Sequence, residues 1–191
     1  MKILLINPYN PDYLSSMIVH GLITIGEDVT EYNYLDYMRV KYKDKIDTSK
    51  FWGKGYSYTF LLDDDKKQVD KKLIEDQIAD HYYDLIIYTF IWCETACLDL
   101  VLKTYKPGEI FIVDGEDYPI YHNILSERPK NTIYFKRELL VNNESFGCNL
   151  RLFPISYAFP KEKFQKRNPQ KTIPFVNDCS YGSYYTLQKQ I

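Results

Sequence analysis

The chain has 191 residues, with 24 Lys+Arg against 26 Asp+Glu, 45% apolar residues, 8 Gly and 9 Pro. That is the arithmetic of one globular domain of ordinary size, and it excludes disorder, collagen and low-complexity tracts. A formal net charge of -2 gives no electrostatic reason to bind a polyanion, so nucleic acid is not an expected partner. The aromatic content is high at 19 Tyr, 10 Phe and 2 Trp. It fits a ring-rich core first, and it also suits a carbohydrate-facing or protein-facing cleft, because Tyr carries both apolar area and a hydroxyl.

The opening Ile3-Leu4-Leu5-Ile6 is a continuous apolar run ended by Asn7-Pro8, too short for a signal-peptide core or a membrane span. A cytoplasmic protein with no membrane span is expected. The run reads as a strand buried on both faces, the habit of a parallel sheet. After Asp12, the residues Leu14, Met17, Ile18, Leu22 and Ile25 recur at helical spacing, with Gly26 placed as a helix C-cap. Val29 to Tyr34 then predicts a second strand and completes a βαβ unit.

Leu35 to Lys50 is charged and irregular, and Phe51 to Phe60 sets two glycines and a lysine among aromatics. An ordered insertion over about 36–62, a loop or hairpin, is predicted here. Asp63-Asp64-Asp65 supplies N-cap candidates for a helix with apolar positions Val69, Leu73, Ile74 and Ile78. Asp84 to Tyr88 predicts a strand, about Thr95 to Tyr105 a helix, and Glu109 to Val113 another strand. Thr132 to Phe135 and Leu150 to Ile155 are further strand candidates. Together these define one α/β domain over 1–160, Rossmann-like, with a mostly parallel sheet and helices on both faces. Residues 161–191 read as a basic connector with a strand candidate at Thr172 to Val176. They form either the start of a second domain or a tail packing back on the first.

Four cysteines stand at 93, 97, 148 and 179 without a CxxC pair. Cys93 and Cys97 would share a helix face, but no nearby His or second Cys pair completes a metal set, so they read as small buried side chains. His20 reads as a packed or half-exposed residue of the first helix, and His81 as a cation at the end of the second. These cysteines and histidines suggest no metal site. Gly53-Lys54-Gly55 lacks P-loop spacing, and no G-x-G-x-x-G follows the first strand, so a dinucleotide cofactor is not expected either.

In an open parallel sheet the ligand crevice lies beyond the carboxyl ends of the strands. Those positions hold Asn7, Tyr9 and Asn10 after the first strand, and Trp92 after the third. Asp114, Glu116 and Asp117 follow the fourth, and Lys136, Arg137 and Glu138 the next. Carboxylates there can position a metal or a sugar hydroxyl or accept a proton, or merely form the turn. Lys136 and Arg137 can pair with them or bind phosphate. His122 is the one histidine near this crevice and a candidate base.

Gly53-Lys54-Gly55-Tyr56-Ser57-Tyr58, Asp84-Leu85-Ile86-Ile87-Tyr88, Ile112-Val113-Asp114-Gly115-Glu116-Asp117, Tyr134-Phe135-Lys136-Arg137-Glu138-Leu139 and Pro154-Ile155-Ser156-Tyr157 stand in an order with a likeness. It resembles the amino-terminal half of bacterial glycosyltransferase-like proteins of the spore-maturation CgeB type, themselves similar to two-domain GT-B transferases. The resemblance covers most of residues 1 to about 176. It implies a Rossmann-like half that faces a glycan acceptor, while a carboxy-terminal half holds the nucleotide-sugar donor. It also implies a reaction without bound metal or other cofactor.

The expected function is therefore the acceptor-side half of a GT-B-type sugar transferase acting on a cell-surface or secondary glycan, paired with a partner domain or a further copy. Base candidates are Asp114, Asp117 and His122. Candidate substrate contacts are Asn7, Tyr9, Asn10, Lys54, Tyr56, Trp92, Glu116, Lys136, Arg137 and Glu138. The rival is a non-catalytic Rossmann-like ligand-binding or interaction module. A receiver domain is disfavoured because Asn7-Pro8 replaces its acidic pair, and a base-on cobalamin domain because Asp12 and His20-Gly21 lack the required spacing.

Overall fold

The computed structural model describes residues 1–51, 56–118, 120–122, 133–138 and 151–163. Six strands form one sheet: β1 (Lys2–Ile6), β2 (Asp28–Glu31), β3 (Leu85–Tyr88), β4 (Ile110–Asp114), β5 (Ile133–Lys136) and β6 (Arg151–Pro154). Their spatial order is β2-β1-β3-β4-β5-β6, and every neighbouring pair is parallel. The helices are α1 (Tyr13–Thr24), α2 (Lys71–Ala79) and α3 (Leu98–Thr104). The expected α/β, Rossmann-like architecture is what the chain adopts.

The direction of winding reverses at β1. Its first crossover leads outward to β2, and the next returns past β1 to β3. Right-handed crossovers in opposite directions put their helices on opposite faces. Accordingly Leu14 and Val19 of α1 pack with Ile3, Leu5, Ile87 and Val113. Ile74 and Ile78 of α2 and Val101 of α3 pack with Leu4, Ile6, Ile86 and Ile112 on the other face. The alternation along each strand divides one apolar run between two core layers.

Helix α1 is delimited as its sequence dictates. The Asp12 carboxylate accepts from the Ser15 backbone N–H at 2.7 Å, and Gly26 takes φ +86°. Gly26 N–H reaches Ile23 O and Glu27 N–H reaches Leu22 O, each at 3.1 Å, closing a Schellman motif. The buried face differs from the apolar stripe: Leu14, Ser15, Ser16, Val19 and His20 are buried, whereas Met17, Ile18 and Leu22 are half-buried and Ile25 is exposed. The insertion causes this rotation by packing over the Ser16–His20 flank.

The insertion is a set of three short 3-10 turns, Asp36–Met38, Val40–Tyr42 and Thr48–Lys50, and Arg39 meets Leu62 in a parallel bridge. Among its described residues the insertion forms no hairpin, and the loop alternative is what they show. Tyr37, Met38, Tyr56, Tyr58 and Leu62 join the core beside α1, where Ser16 Oγ shares hydrogen bonds with Tyr37 and Tyr56 hydroxyls at 2.9 and 2.7 Å. Arg39 has no exposed surface. Its guanidinium pairs with both Glu31 oxygens, donates to Leu35 O at 2.8 Å and stacks 4.4 Å from the Tyr34 ring.

Helix α2 starts later than the run of aspartates suggests. Its N-cap is Asp70, accepting from Lys72 and Leu73 N–H at 2.9 and 3.2 Å. Residues 63–69 instead carry no regular secondary structure. Asp64 lies 3.4 Å from Arg39 Nε, Lys66 Nζ donates to Val29 O, and Gln68 accepts from Tyr34 N–H at 3.1 Å. Leu73 is consequently exposed rather than core.

Helix α3 also starts later, at Leu98, because Cys97 takes φ +56° and breaks the helical path. His81 reaches Glu109 at 3.2 Å, and Glu109 is held below the usual carboxylate range, first by the Lys106 backbone N–H and then by that imidazole. The expected strand at 172–176 lies outside the described residues. Among those described, no helix is long and apolar enough to cross a membrane.

Candidate functional site

The winding reversal at β1 leaves a gap beyond the carboxyl ends of β1 and β3, the position where α/β sheets of this kind take ligands. A crevice of about 500 Å³ occupies it, between the loop 8–12 on one side and Phe90, Cys93 and Glu94 on the other. Pro8 ends β1 because it has no N–H to donate, and Tyr9 and Asn10 stand exposed at the rim.

Asn7 itself is fully buried and turned away from the crevice's contents. Its Nδ2 donates to Asn33 O, and Asn33 Nδ2 donates back to Asn7 O, both at 2.7 Å. Asn33 Nδ2 also donates to Glu94 Oε2 at 3.0 Å, and Lys71 Nζ donates to Asn33 Oδ1 at 3.1 Å. The Asn7 amide thus clamps the loops after β1 and β2, and Asn33 aims Glu94. Asn33 belongs to the same rule that selects residues beyond strand ends; extending the second strand to Tyr34 hides it.

A second cluster lies at the ends of β4 and β5. Asp114 and Lys136 are register partners, both without exposed surface, and Lys136 Nζ lies 2.9 Å from Asp114 Oδ1. The same oxygen accepts from Trp92 Nε1 and Glu116 N–H, each at 2.9 Å, and Tyr134 hydroxyl donates to Oδ2. Lys136 also donates to Glu116 O at 3.0 Å. Such saturation is what a buried ion pair requires. Gly115 follows without a side chain for a steric reason: a Cβ there would sit 2.8 Å from Leu14 Cδ2.

Around this hub, the His122 ring packs edge-on at 4.8 Å from Trp92, and its backbone N–H donates to the Tyr134 hydroxyl at 3.3 Å. Burial lowers the His122 pKa, opposed in part by the Asp114 charge, so the imidazole is neutral at pH 7. Burial and then Asp114 push the Tyr134 phenol upward. Asp117 is exposed and pairs with Arg137, which donates to Tyr157 hydroxyl at 2.6 Å. Half-buried Glu138 adds negative potential at Tyr157.

The carboxylates Asp12, Glu116 and Glu94 all bear on Cys93, whose thiol is raised first by desolvation and then by these charges. The crevice is therefore acidic and aromatic at its walls, and the two cations at the end of β5, Lys136 and Arg137, are already engaged by Asp114 and Asp117. Among the described residues, no group of three or more His, Cys, Asp or Glu is placed to hold a metal ion.

The structure brings Tyr9, Asn10, Trp92, Asp114, Glu116, Asp117, His122, Lys136, Arg137 and Glu138 to the carboxyl end of one sheet. Tyr56 lies elsewhere, buried against Ser16, because the insertion turns its rings into the core. Lys54 lies outside the described residues, as do Cys148 and Cys179. Cys93 is exposed rather than buried, since it precedes α3 instead of sitting on it. Asp12, Asn33 and Glu94 complete the crevice and were not among the residues expected there.

The fold and crevice define an α/β domain of the Rossmann-like class. Comparison with protein-family models, curated proteins and solved structures finds no match to this chain.

Proposed function

We propose that this chain forms the acceptor side of a GT-B-type sugar-transfer site, with a glycan hydroxyl as its ligand and a nucleotide sugar presented from a partner domain or chain. One observation carries the reading: the crevice at the winding reversal offers ring faces and carboxylates, Tyr9, Phe90, Asp12 and Glu94, while Lys136 and Arg137 are held in ion pairs. Carboxylates and aromatic faces suit neutral polyols; a diphosphate would meet repulsion.

In this reading His122 is the base. Its neutral imidazole takes the acceptor hydroxyl proton as that oxygen bonds to the anomeric carbon, and the carbon–oxygen bond to the donor diphosphate breaks. Asp117 is the alternative base at the rim. Asp114 is a positioning residue: through Trp92 and Tyr134 it holds the ring and backbone that surround His122. Tyr9, Asn10, Glu94 and Glu116 are the acceptor contacts.

Two-dimensional NMR of the chain titrated separately with neutral oligosaccharides and with UDP-, GDP-, ADP- and CMP-sugars tests this. Shifts at Tyr9, Cys93 and Glu94 with the oligosaccharides, weakened about tenfold or more by Glu94→Gln, are the expected result. Binding of nucleotide sugars alone would reverse the assignment of sides. A second reading, a non-catalytic binding module, is favoured by the closed-off Asp114 carboxylate. The two separate on His122→Gln in a transfer assay with donor and partner supplied, which stops turnover only in the first.

A further inference from the structure

A second concavity, of about 560 Å³, opens between α2 and α3, and the acceptor contacts named above do not use it. Tyr32 and Thr95 bring hydroxyls to its wall, Glu75 and Asp99 carboxylates, and Leu98 and Leu100 apolar surface. Tyr32 directly follows β2, and Thr95 lies between β3 and α3, so this notch opens at the same carboxyl end of the sheet as the crevice. Its size is that of a small-molecule site.

A thin ridge divides the two cavities. Cys93 and Glu94 line the crevice, and the next residues, Thr95 to Leu98, line the notch. The ridge is fixed from within and from beneath: Ala96 N–H donates to Glu94 Oε1 at 3.0 Å, and the Tyr88 hydroxyl donates to Ala96 O at 3.1 Å. Across the notch Lys71 Nζ lies 4.3 Å from the Tyr32 ring centroid and holds that ring. Burial raises the Tyr32 phenol, and Cys97, Glu94 and Glu75 raise it further. One crevice carboxylate and one notch carboxylate thus act on a single hydroxyl, so Tyr32 stands where the two cavities meet.

We propose that the notch is a second subsite continuous with the crevice, and that it takes the next residue of a neutral acceptor oligosaccharide as the glycan passes over the Glu94–Thr95 ridge. The assignment rests on the sugar-transfer reading and adds to it that the acceptor is an oligosaccharide rather than a single sugar. The hydroxyls and carboxylates of the notch exchange hydrogen bonds with sugar hydroxyls, and Leu98 and Leu100 receive the apolar face of a ring. A phosphate there meets the charges of Glu75 and Asp99. Lys72 offsets little of that charge, since it lies 3.7 Å from Glu75 and pairs more closely with Asp76 at 2.9 Å.

Two-dimensional NMR of the full chain, titrated with β-1,4-linked glucose and N-acetylglucosamine series from the monosaccharide to the tetrasaccharide, tests this. The monosaccharides should shift the amides of Cys93 and Glu94 and leave the notch unmoved. From the disaccharides onward the amides of Tyr32, Asp99 and Leu100 should shift as well, with affinity rising about tenfold. Thr95→Val combined with Glu75→Gln should abolish that rise and leave monosaccharide binding as it was; Thr95 is exposed and Glu75 half-buried, so neither change empties the core. Shifts confined to the crevice at every length, or an undiminished rise in the double variant, would overturn the subsite and leave the acceptor crevice standing. No shift at Cys93 and Glu94 with any member of either series would overturn the acceptor crevice itself, and the subsite with it.

Discussion

Asp114 and Lys136 face each other across the β4–β5 register, 2.9 Å apart and without exposed surface, so each neutralises a charge that the sheet interior could not otherwise hold. Removing one partner leaves the other charge buried and alone. Lys136→Met should destabilise the fold by about 3–5 kcal/mol, measured by urea unfolding. Combining it with Asp114→Asn should recover a large part of that loss. A double variant as unstable as the sum of the singles would show that the two side chains do not act as a pair.

Arg39 and Glu31 make the same prediction at the other end of the molecule. The guanidinium is wholly buried among Glu31, Leu35 and Tyr34, and Asp64 extends the network. Glu31→Gln should cost about 3–5 kcal/mol and loosen the insertion. Faster amide exchange at Tyr37 and Met38 would report the loosening.

His122 gives a prediction with a definite sign in pH. Its folded pKa is lowered from 6.5 by burial, so below 6.5 the unfolded chain binds this proton more readily than the folded one. Stability from this group is therefore present above 6.5 and is lost as pH falls through that value. An NMR titration should place the His122 midpoint below 6.5, and His122→Gln should flatten the decline in unfolding free energy between pH 7 and 5. A midpoint above 6.5 would contradict the assignment.

Gly115 is constrained by contact. Gly115→Ala would force its Cβ against Leu14 Cδ2 at 2.8 Å, and because Leu14 is packed, the expected cost is about 1–2 kcal/mol. Adding Leu14→Ala should produce a combined loss smaller than the two separate ones. Strict additivity would mean that the clash is relieved elsewhere.

The strands were legible wherever burial on both faces writes a continuous apolar run, as in Ile3 to Ile6 and Leu85 to Tyr88. Placing the ligand crevice beyond their ends followed from the same pattern. That Lys136 can pair with a carboxylate after the fourth strand was legible, but its choice of Asp114 and the complete burial of the pair were not, because both depend on the β4–β5 register. Tyr56 misled for another reason. Tyr suits a wet cleft and a hydrogen-bonded interior equally, and only the insertion's path over Ser16 decides between them. Asp12 and Glu94 each accept from a backbone N–H a few residues on, which is local; their shared crevice appears only when β1 and β3 lie side by side.

The central position of β1 also bears on how the domain is made. Ile3 pairs with Val29 on one edge but with Leu85 on the other, so the first strand to be synthesised gains its second neighbour only after the whole insertion and α2 have followed. Until then an apolar strand edge stands open. The early βαβ unit and the tyrosines that the insertion lays over α1 are available to shelter that chain before the sheet is complete. Substitutions that loosen the insertion should accordingly lower the yield of soluble protein during synthesis more than they lower the stability of the finished domain.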